Sequence, residues 1–239
     1  MALYKEQGIV LRTMKLGEAD RIVTILTQGM GKVRAVAKGV RKTKSRFGAR
    51  LEPFTHVDLL LYEGRELDII TQADIISPFR QIRDDYGRFA AGELILEAAD
   101  KITEERERNT RIFMLVIGAL RRLCEADADA PTVADAFLLR LTAVAGFSPS
   151  LTACAECGRT TDRMRFSIAQ GGMVCADCKV GAALAVGEQT LPYLVDLMDK
   201  GTGEVSAPQK VRKEGSSIVR AYLEYHVNRP IRSWTHVPR

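Results

Sequence analysis

The chain has 239 residues, of which 46% are hydrophobic and 27% charged, and a formal net charge of +5. That length fits one large or two modest domains, and the composition supports a buried core rather than a disordered chain. No apolar run is long enough to cross a bilayer, and the opening MALYKEQGIVLRT lacks the apolar centre of a secretory signal, so a cytoplasmic protein is expected.

Residues 1–80 read as short apolar runs separated by turn residues, the pattern of a small all-β unit. The expected strands lie near 8–12, 22–26, 32–38, 57–62 and 67–73, with QGMG and YEGRE supplying turns, and five short strands suggest a small barrel. Alternation in the third strand sets Val33, Ala35 and Ala37 on a core face and Lys32, Arg34, Val36 and Lys38 on the other. The next segment, GVRKTKSRFGAR, holds two glycines and is expected to be a mobile basic loop leading to a turn at Glu52 and Pro53.

Charge is concentrated here. Residues 1–80 carry 14 basic and 9 acidic side chains, whereas 81–239 carry 21 of each. Lys32, Arg34, Lys38, Arg41, Lys42, Lys44, Arg46 and Arg50 form a run of eight cations over nineteen residues without an acid. Surface charge is normally mixed in sign, so such a run points to a polyanionic partner. No amphipathic helix or lipidation motif accompanies it, which favours nucleic acid over a membrane. Only Phe47 among these residues can stack on a base, so charge must dominate binding. Phosphate contacts carry little base information, and the expectation is tolerance of single and double strands with steep salt dependence.

From Ile82 the period becomes helical, with helices expected near 84–106, 111–125, 132–145, 188–198 and 208–227, the last stopped by Pro230. Ile112, Leu115, Val116, Ala119, Leu120 and Leu123 make one buried stripe, beside which Cys124 is expected in the core. Tyr222 and Tyr225, three apart on a helix, favour packing; with Arg229, Arg232 and Trp234 they are also candidates to stack on bases or grip a partner.

Between the third and fourth helices, Cys154, Cys157, Cys175 and Cys178 read C-x2-C-x17-C-x2-C. Each pair lets a tight knuckle present two thiolates to one ion, Gly158 relieves the first turn, and 164–168 with 173–174 supply a connecting hairpin. One zinc is expected in a ribbon over about 150–182. Two disulfides are the competing account, disfavoured in a reducing compartment. Four thiolates leave no position for water, so the ion is structural.

Other chemistry is missing from the pattern. GMGKV lacks the first glycine and the Ser or Thr of a phosphate loop. No H-x-E precedes the cysteines, as a zinc deaminase requires, and neither C-x-x-C lies in a βαβ pattern. His56, His226 and His236 have no catalytic partners in sequence, and Asp84-Asp85 and Glu104-Glu105 fit helix ends. The expectation is a protein that is not an enzyme. RNA binding, or a transcription-associated zinc-ribbon role, is the alternative, and a structural adaptor is a third.

GIVLRTMKLGEADRIVTILT, GKVRAVAKGVRKTKSRFGARLEPFT and EYHVNRPIRSW resemble the bacterial RecO recombination and repair proteins, in order and over nearly the whole chain. The resemblance implies an α+β multidomain protein: an N-terminal OB-fold barrel over 1–80, and a helical domain over 81–239 that carries the zinc-ribbon insertion. It also implies a DNA-binding recombination mediator that anneals complementary strands without ATP. With RecR, such a protein helps RecA replace single-strand-binding protein on single-stranded DNA, and some family members bind that protein's acidic tail directly. Lys38, Arg41, Lys42, Lys44 and Arg46 are the firmest phosphate contacts, because they stand in the basic segment that carries the resemblance.

Overall fold

A computed structural model describes residues 2–43, 45, 47–161, 164–200 and 205–238. Tertiary contacts divide the chain into two compact units, 1–128 and 129–239, while the change from strand to helix comes at residue 80.

The first unit is built on five strands, β1 (Leu3–Leu16), β2 (Asp20–Thr27), β3 (Gly31–Ala37), β4 (His56–Tyr62) and β5 (Asp68–Ser77), closed in the order β1-β2-β3-β5-β4. All five expected strands are present, most of them longer than their apolar centres. The parallel pairing of β3 with β5 shuts the barrel, and all other pairs are antiparallel. Closure leaves no free edge and defines an OB-type barrel. β1 serves two neighbours: its first half pairs with β4 and its second with β2, with a bulge between Val10 and Arg12. At the crossover stands Gly8, where a Cβ would lie 2.4 Å from Ile25 Cγ2, so a side chain there would force the strands apart.

Val33, Ala35 and Ala37 point inward as expected and are at most 1% exposed, in a core shared with Val10, Val23 and Ile25. Phe47 and Leu51 join that core from the connection after β3, which contains a 3₁₀ turn, Gly48–Leu51. The connection is therefore anchored at Phe47, where the sequence suggested only a loop.

Three helices complete this unit: α1 (Arg80–Arg83), α2 (Tyr86–Ile102) and α3 (Thr110–Leu123). The helix expected over 84–106 is present as α2, starting only after Asp85, which leaves helical geometry to cap it by accepting from Arg88 N at 2.8 Å, and ending at Ile102; α1 is a separate short turn before it. Asn109 caps α3 by accepting from Ile112 N. Cys124, just past α3, is half-buried, and burial pushes its thiol pKa up.

Two buried polar residues bear on this unit's stability. Asp68, 1% exposed, accepts two 2.7 Å bonds from Arg106 Nη2 and further bonds from Tyr4 and from Gly64 N. Asp68→Ala is expected to cost about 2–3 kcal/mol in urea unfolding, because it strands the donors of Arg106 and Tyr4 at the barrel seam.

His56 is 5% exposed, packs edge-on to Phe113 at 5.9 Å, and has no hydrogen-bond partner on either ring nitrogen among the described residues. Burial, and then the charge of Arg121, hold its pKa below the usual 6.5, against a smaller pull from Asp58. The unfolded chain therefore takes up the proton first as pH falls. Its contribution to stability is complete above the ordinary histidine pKa and is lost as pH drops toward the depressed folded value. Urea midpoints are expected to fall between pH 7.5 and 5.5, and less steeply in His56→Leu.

The second unit contains α4 (Ala130–Val144), α5 (Thr190–Asp199), α6 (Gln209–Val227) and the two-stranded hairpin β6 (Met164–Ser167) with β7 (Gly172–Cys175). Tyr222 is 2% exposed and packs edge-on to Phe166 at 5.7 Å, so α6 holds the hairpin. Tyr225 faces solvent, whereas Trp234 is 8% exposed with Arg220 over its ring. Tyr222 and Trp234 are thus packed, while the exposed Tyr225 ring meets His226 edge-on at 5.2 Å.

Candidate nucleic-acid interface and metal centre

The eight cations divide into groups that the sequence did not distinguish. Lys32 is tied down: its Nζ donates to the Asp100 carbonyl at 2.6 Å and lies 3.1 Å from the Asp100 carboxylate, with its side chain 12% exposed. Arg34 lies 3.6 Å from Glu105, a looser and more exposed pair. The acids come from the end of α2 and the segment after it, which runs beside β3 through the backbone bond from Arg106 N to Lys32 O. Lys38, Arg41, Lys42 and Arg50 are exposed. Lys44 and Arg46 lie outside the described residues.

Lys38, Arg41 and Lys42 leave the barrel at one end, beside the β1-β2 hairpin tip. Gly39 N donates to Asp20 at 2.7 Å, Arg41 N to Ala19 O at 2.9 Å, and Arg41 Nη1 to Gly17 O at 3.1 Å. Arg21, on the same strand as Asp20, pairs with Glu52 at 2.7 Å. The base of the basic connection is thus fixed to a neighbouring turn, while the ammonium groups of Lys38 and Lys42 project outward without any ion pair among the described residues. Phe47, the one aromatic of the stretch, is 2% exposed in the barrel core and cannot reach a base.

The second constellation lies in the other unit. The sulfurs of Cys154, Cys157, Cys175 and Cys178 all lie within 4.8 Å of one another, with Cys157 and Cys175 at 3.9 Å. Four thiolates around a tetrahedral zinc at about 2.3 Å stand roughly 3.8 Å apart, so the set fits a metal ion closely. Each knuckle turns as its spacing requires. Gly158 N returns to Cys154 O at 2.8 Å with Gly158 at φ +71°, and Lys179 N returns to Cys175 O at 3.0 Å.

Electrostatics distribute the protons unevenly among the four. Backbone N–H groups of Cys175 and Cys157 lower the Cys154 pKa to about 6, and Arg159, donating at 3.4 Å, lowers that of Cys157. The neighbouring sulfurs push Cys178 up to about 12. Four like charges cannot gather in this space alone; a divalent cation removes the conflict by ionising all of them. Arg159, which sequence reading missed, also pairs with Asp177 at 3.0 Å and so holds one knuckle against the other.

A five-stranded OB-type barrel, a helical part and a four-cysteine cluster able to hold a metal ion define the class: an α+β multidomain protein with an N-terminal OB-type barrel. Residues 1–79 match the family described as Recombination protein O N terminal, and 83–235 match Recombination protein O C terminal. The chain belongs to this DNA-repair family. It is 46% identical to the DNA repair protein RecO of Streptomyces coelicolor and to that of Frankia casuarinae, with all of this chain and of each relative covered. It is 47% identical to that of a Nocardioides species over 99% of this chain and 100% of the relative. No helix among the described residues is long and apolar enough to cross a membrane.

Proposed function

We propose that the chain is a non-enzymatic recombination mediator. It binds single- and double-stranded DNA through phosphate contacts and anneals complementary strands without ATP. Residues 1–80 form the DNA-binding domain, and 81–239 a helical domain with the metal ribbon inserted near 150–182. The observation that carries this reading is the end of the barrel where Lys38, Arg41 and Lys42 are exposed, with Arg50 exposed further along the same connection, while the stretch's aromatic residue is buried. Two complementary strands repel through their phosphates, and a cationic surface that screens both leaves the base edges free to pair. Fuel is not needed, because pairing itself is downhill.

Lys44 and Arg46 belong to the same contact set by their place in the sequence. Lys32 and Arg34 contribute less, since each already has an acid partner. Lys38, Arg41, Lys42, Lys44 and Arg46 on a single strand give a log-log salt slope of about −3.5, from roughly −0.7 per contact. The metal is one structural zinc, favoured by four soft thiolates at tetrahedral spacing. In the cytoplasm, at the nucleoid, the partners are RecR, single-strand-binding protein and RecA during filament assembly.

The test is annealing of complementary DNA oligonucleotides without nucleotide, followed by fluorescence transfer. A rate raised at least tenfold over the protein-free reaction, and lost in high salt, is expected. An unchanged rate sinks the mediator reading. Binding that requires the 2′-hydroxyl would replace it with the RNA-binding alternative.

A further inference from the structure

The four cysteines stand close together but are not equally open to solution. Cys154 and Cys175 are each 2% exposed, Cys178 is half-buried, and Cys157 alone of the four is exposed. Cys154 is also covered by a backbone donor, Cys175 N, at 3.4 Å from its sulfur. Cys157 has a side chain beside it instead: Arg159 Nε donates to its sulfur at 3.4 Å, while Nη2 holds Asp177. A thiolate that is exposed and flanked by a fixed cation is the kind that oxidants attack first. Holding an ion does not require that one of the four face solvent. A second sulfur lies within reach of the first: Cys175 Sγ is 3.9 Å from Cys157 Sγ, although it belongs to the other knuckle.

We propose that Cys157 is an oxidation site, attacked by hydroperoxides and resolved by Cys175 into a disulfide across the two knuckles. This rests on the structural-zinc reading above and goes beyond it. In the first step the Cys157 thiolate attacks one oxygen of the peroxide. The S–O bond forms, the O–O bond breaks, and hydroxide or alkoxide leaves near the Arg159 guanidinium. In the second step the Cys175 thiolate attacks the Cys157 sulfur. The S–S bond forms, the S–O bond breaks, and hydroxide leaves. The two sulfurs together lose two electrons and the peroxide takes them up, while solvent protons convert the departing anions to water, or to water and an alcohol. Two of the four ligands are consumed, so the set no longer holds an ion.

The choice of partner decides what kind of change this is. A disulfide within one knuckle would leave the other untethered once the metal is gone. A bond between Cys157 and Cys175 keeps the two knuckles joined, across the same gap that Arg159 and Asp177 bridge at 3.0 Å. The ribbon then stays ready to rebuild its site when a thiol reductant restores the sulfurs. The modification is reversible and confined to the second unit, which contains no residue of the cationic connection.

The experiment treats the zinc-loaded full chain with hydrogen peroxide, in a Cys124→Ala background so that only the four ligands carry thiols. Released zinc is followed with a chromogenic chelator, and the protein is mapped by mass spectrometry. About one equivalent of zinc is expected to leave as the chain loses about 2 mass units, with the new bond mapped to Cys157 and Cys175. Dithiothreitol with added zinc should restore the starting state. Cys157→His leaves three thiolates and an imidazole, a set able to hold zinc, and is expected to release it about tenfold more slowly. Cys178→His has the same donor set with Cys157 kept, and should release within about threefold of the parent chain. Should Cys157→His fail to take up zinc, limiting iodoacetamide on the zinc-loaded parent chain decides: labelling of Cys157 ahead of the other three supports the site, and uniform labelling overturns it. A disulfide within either knuckle, or sulfinic and sulfonic acids without a disulfide, overturns the assignment to Cys175. Zinc retained under peroxide, or lost from Cys157→His at the parent rate, overturns the oxidation site while leaving the metal in place. A folded chain that never binds zinc overturns the metal reading itself, and the oxidation site with it.

Discussion

Replacing Lys38, Arg41 and Lys42 together by alanine is expected to weaken DNA binding roughly 100-fold at 0.1 M salt. Each contact to a single strand releases about 0.7 of a counterion, so at 0.1 M it contributes about 0.7 decades of affinity, and three contribute about two. The salt slope should become shallower by about 2, and every sequence should be affected alike, because phosphates are common to all. Folding should not suffer, since the three side chains are exposed and the backbone bonds from Gly39 and Arg41 remain. Filter binding or anisotropy across a salt series reads affinity and slope in one measurement. Lys32→Ala is the informative contrast. Its ammonium is already satisfied by Asp100, so the expected loss is in stability, with DNA affinity changed less than about threefold. A triple variant that binds as the wild type does, with the same slope, would remove the cationic connection from the DNA path.

The contrast between Lys32 and Lys38 also shows how far the sequence could be read. Alternation is a local signal, and it placed Val33, Ala35 and Ala37 in the core because a strand's two faces are decided residue by residue. The four cysteines were legible for a similar reason: each knuckle is set within four residues, and only the meeting of the two knuckles is long-range. Charge pairing has no local signature. Asp100 lies 68 residues from Lys32, on a helix whose docking is decided by apolar side chains, so nothing near Lys32 announces that it is occupied. Phe47 misled in the same way. Its neighbours are cations and glycines, and only closure of the barrel makes the end of its core available to an aromatic from that connection. That Met14, Ile22 and Val36 stand side by side on β1, β2 and β3 likewise depends on the register of three strands, and a shift of one residue in any pairing would have sent its members to the opposite face.

Loss of the metal should disrupt the ribbon while leaving the barrel folded. Replacing Cys154 and Cys175 together by serine removes one thiolate from each knuckle, and a hydroxyl is a poor substitute because it stays protonated at neutral pH. Bound zinc, measured by elemental analysis, should fall from one per chain to below about 0.1, since structural zinc sites draw on the order of 10 kcal/mol from a complete thiolate set. At its metal end the hairpin has little else to hold it, since its contact with α6 is made through Phe166. Its strands are four residues each, and its interior near the metal consists of Val174 with Ala183 packed against the cysteines themselves. Proteolysis between the knuckles should therefore accelerate in the variant, and equally in the wild type after chelation. The cations belong to the first unit and the cysteines to the second, so the same variant should keep DNA affinity within about threefold, with an unchanged salt slope. A cysteine variant that retained a full equivalent of zinc would assign the ion elsewhere. One that lost DNA binding along with its metal would mean that the ribbon takes part in binding, and that phosphate contacts on the barrel do not suffice.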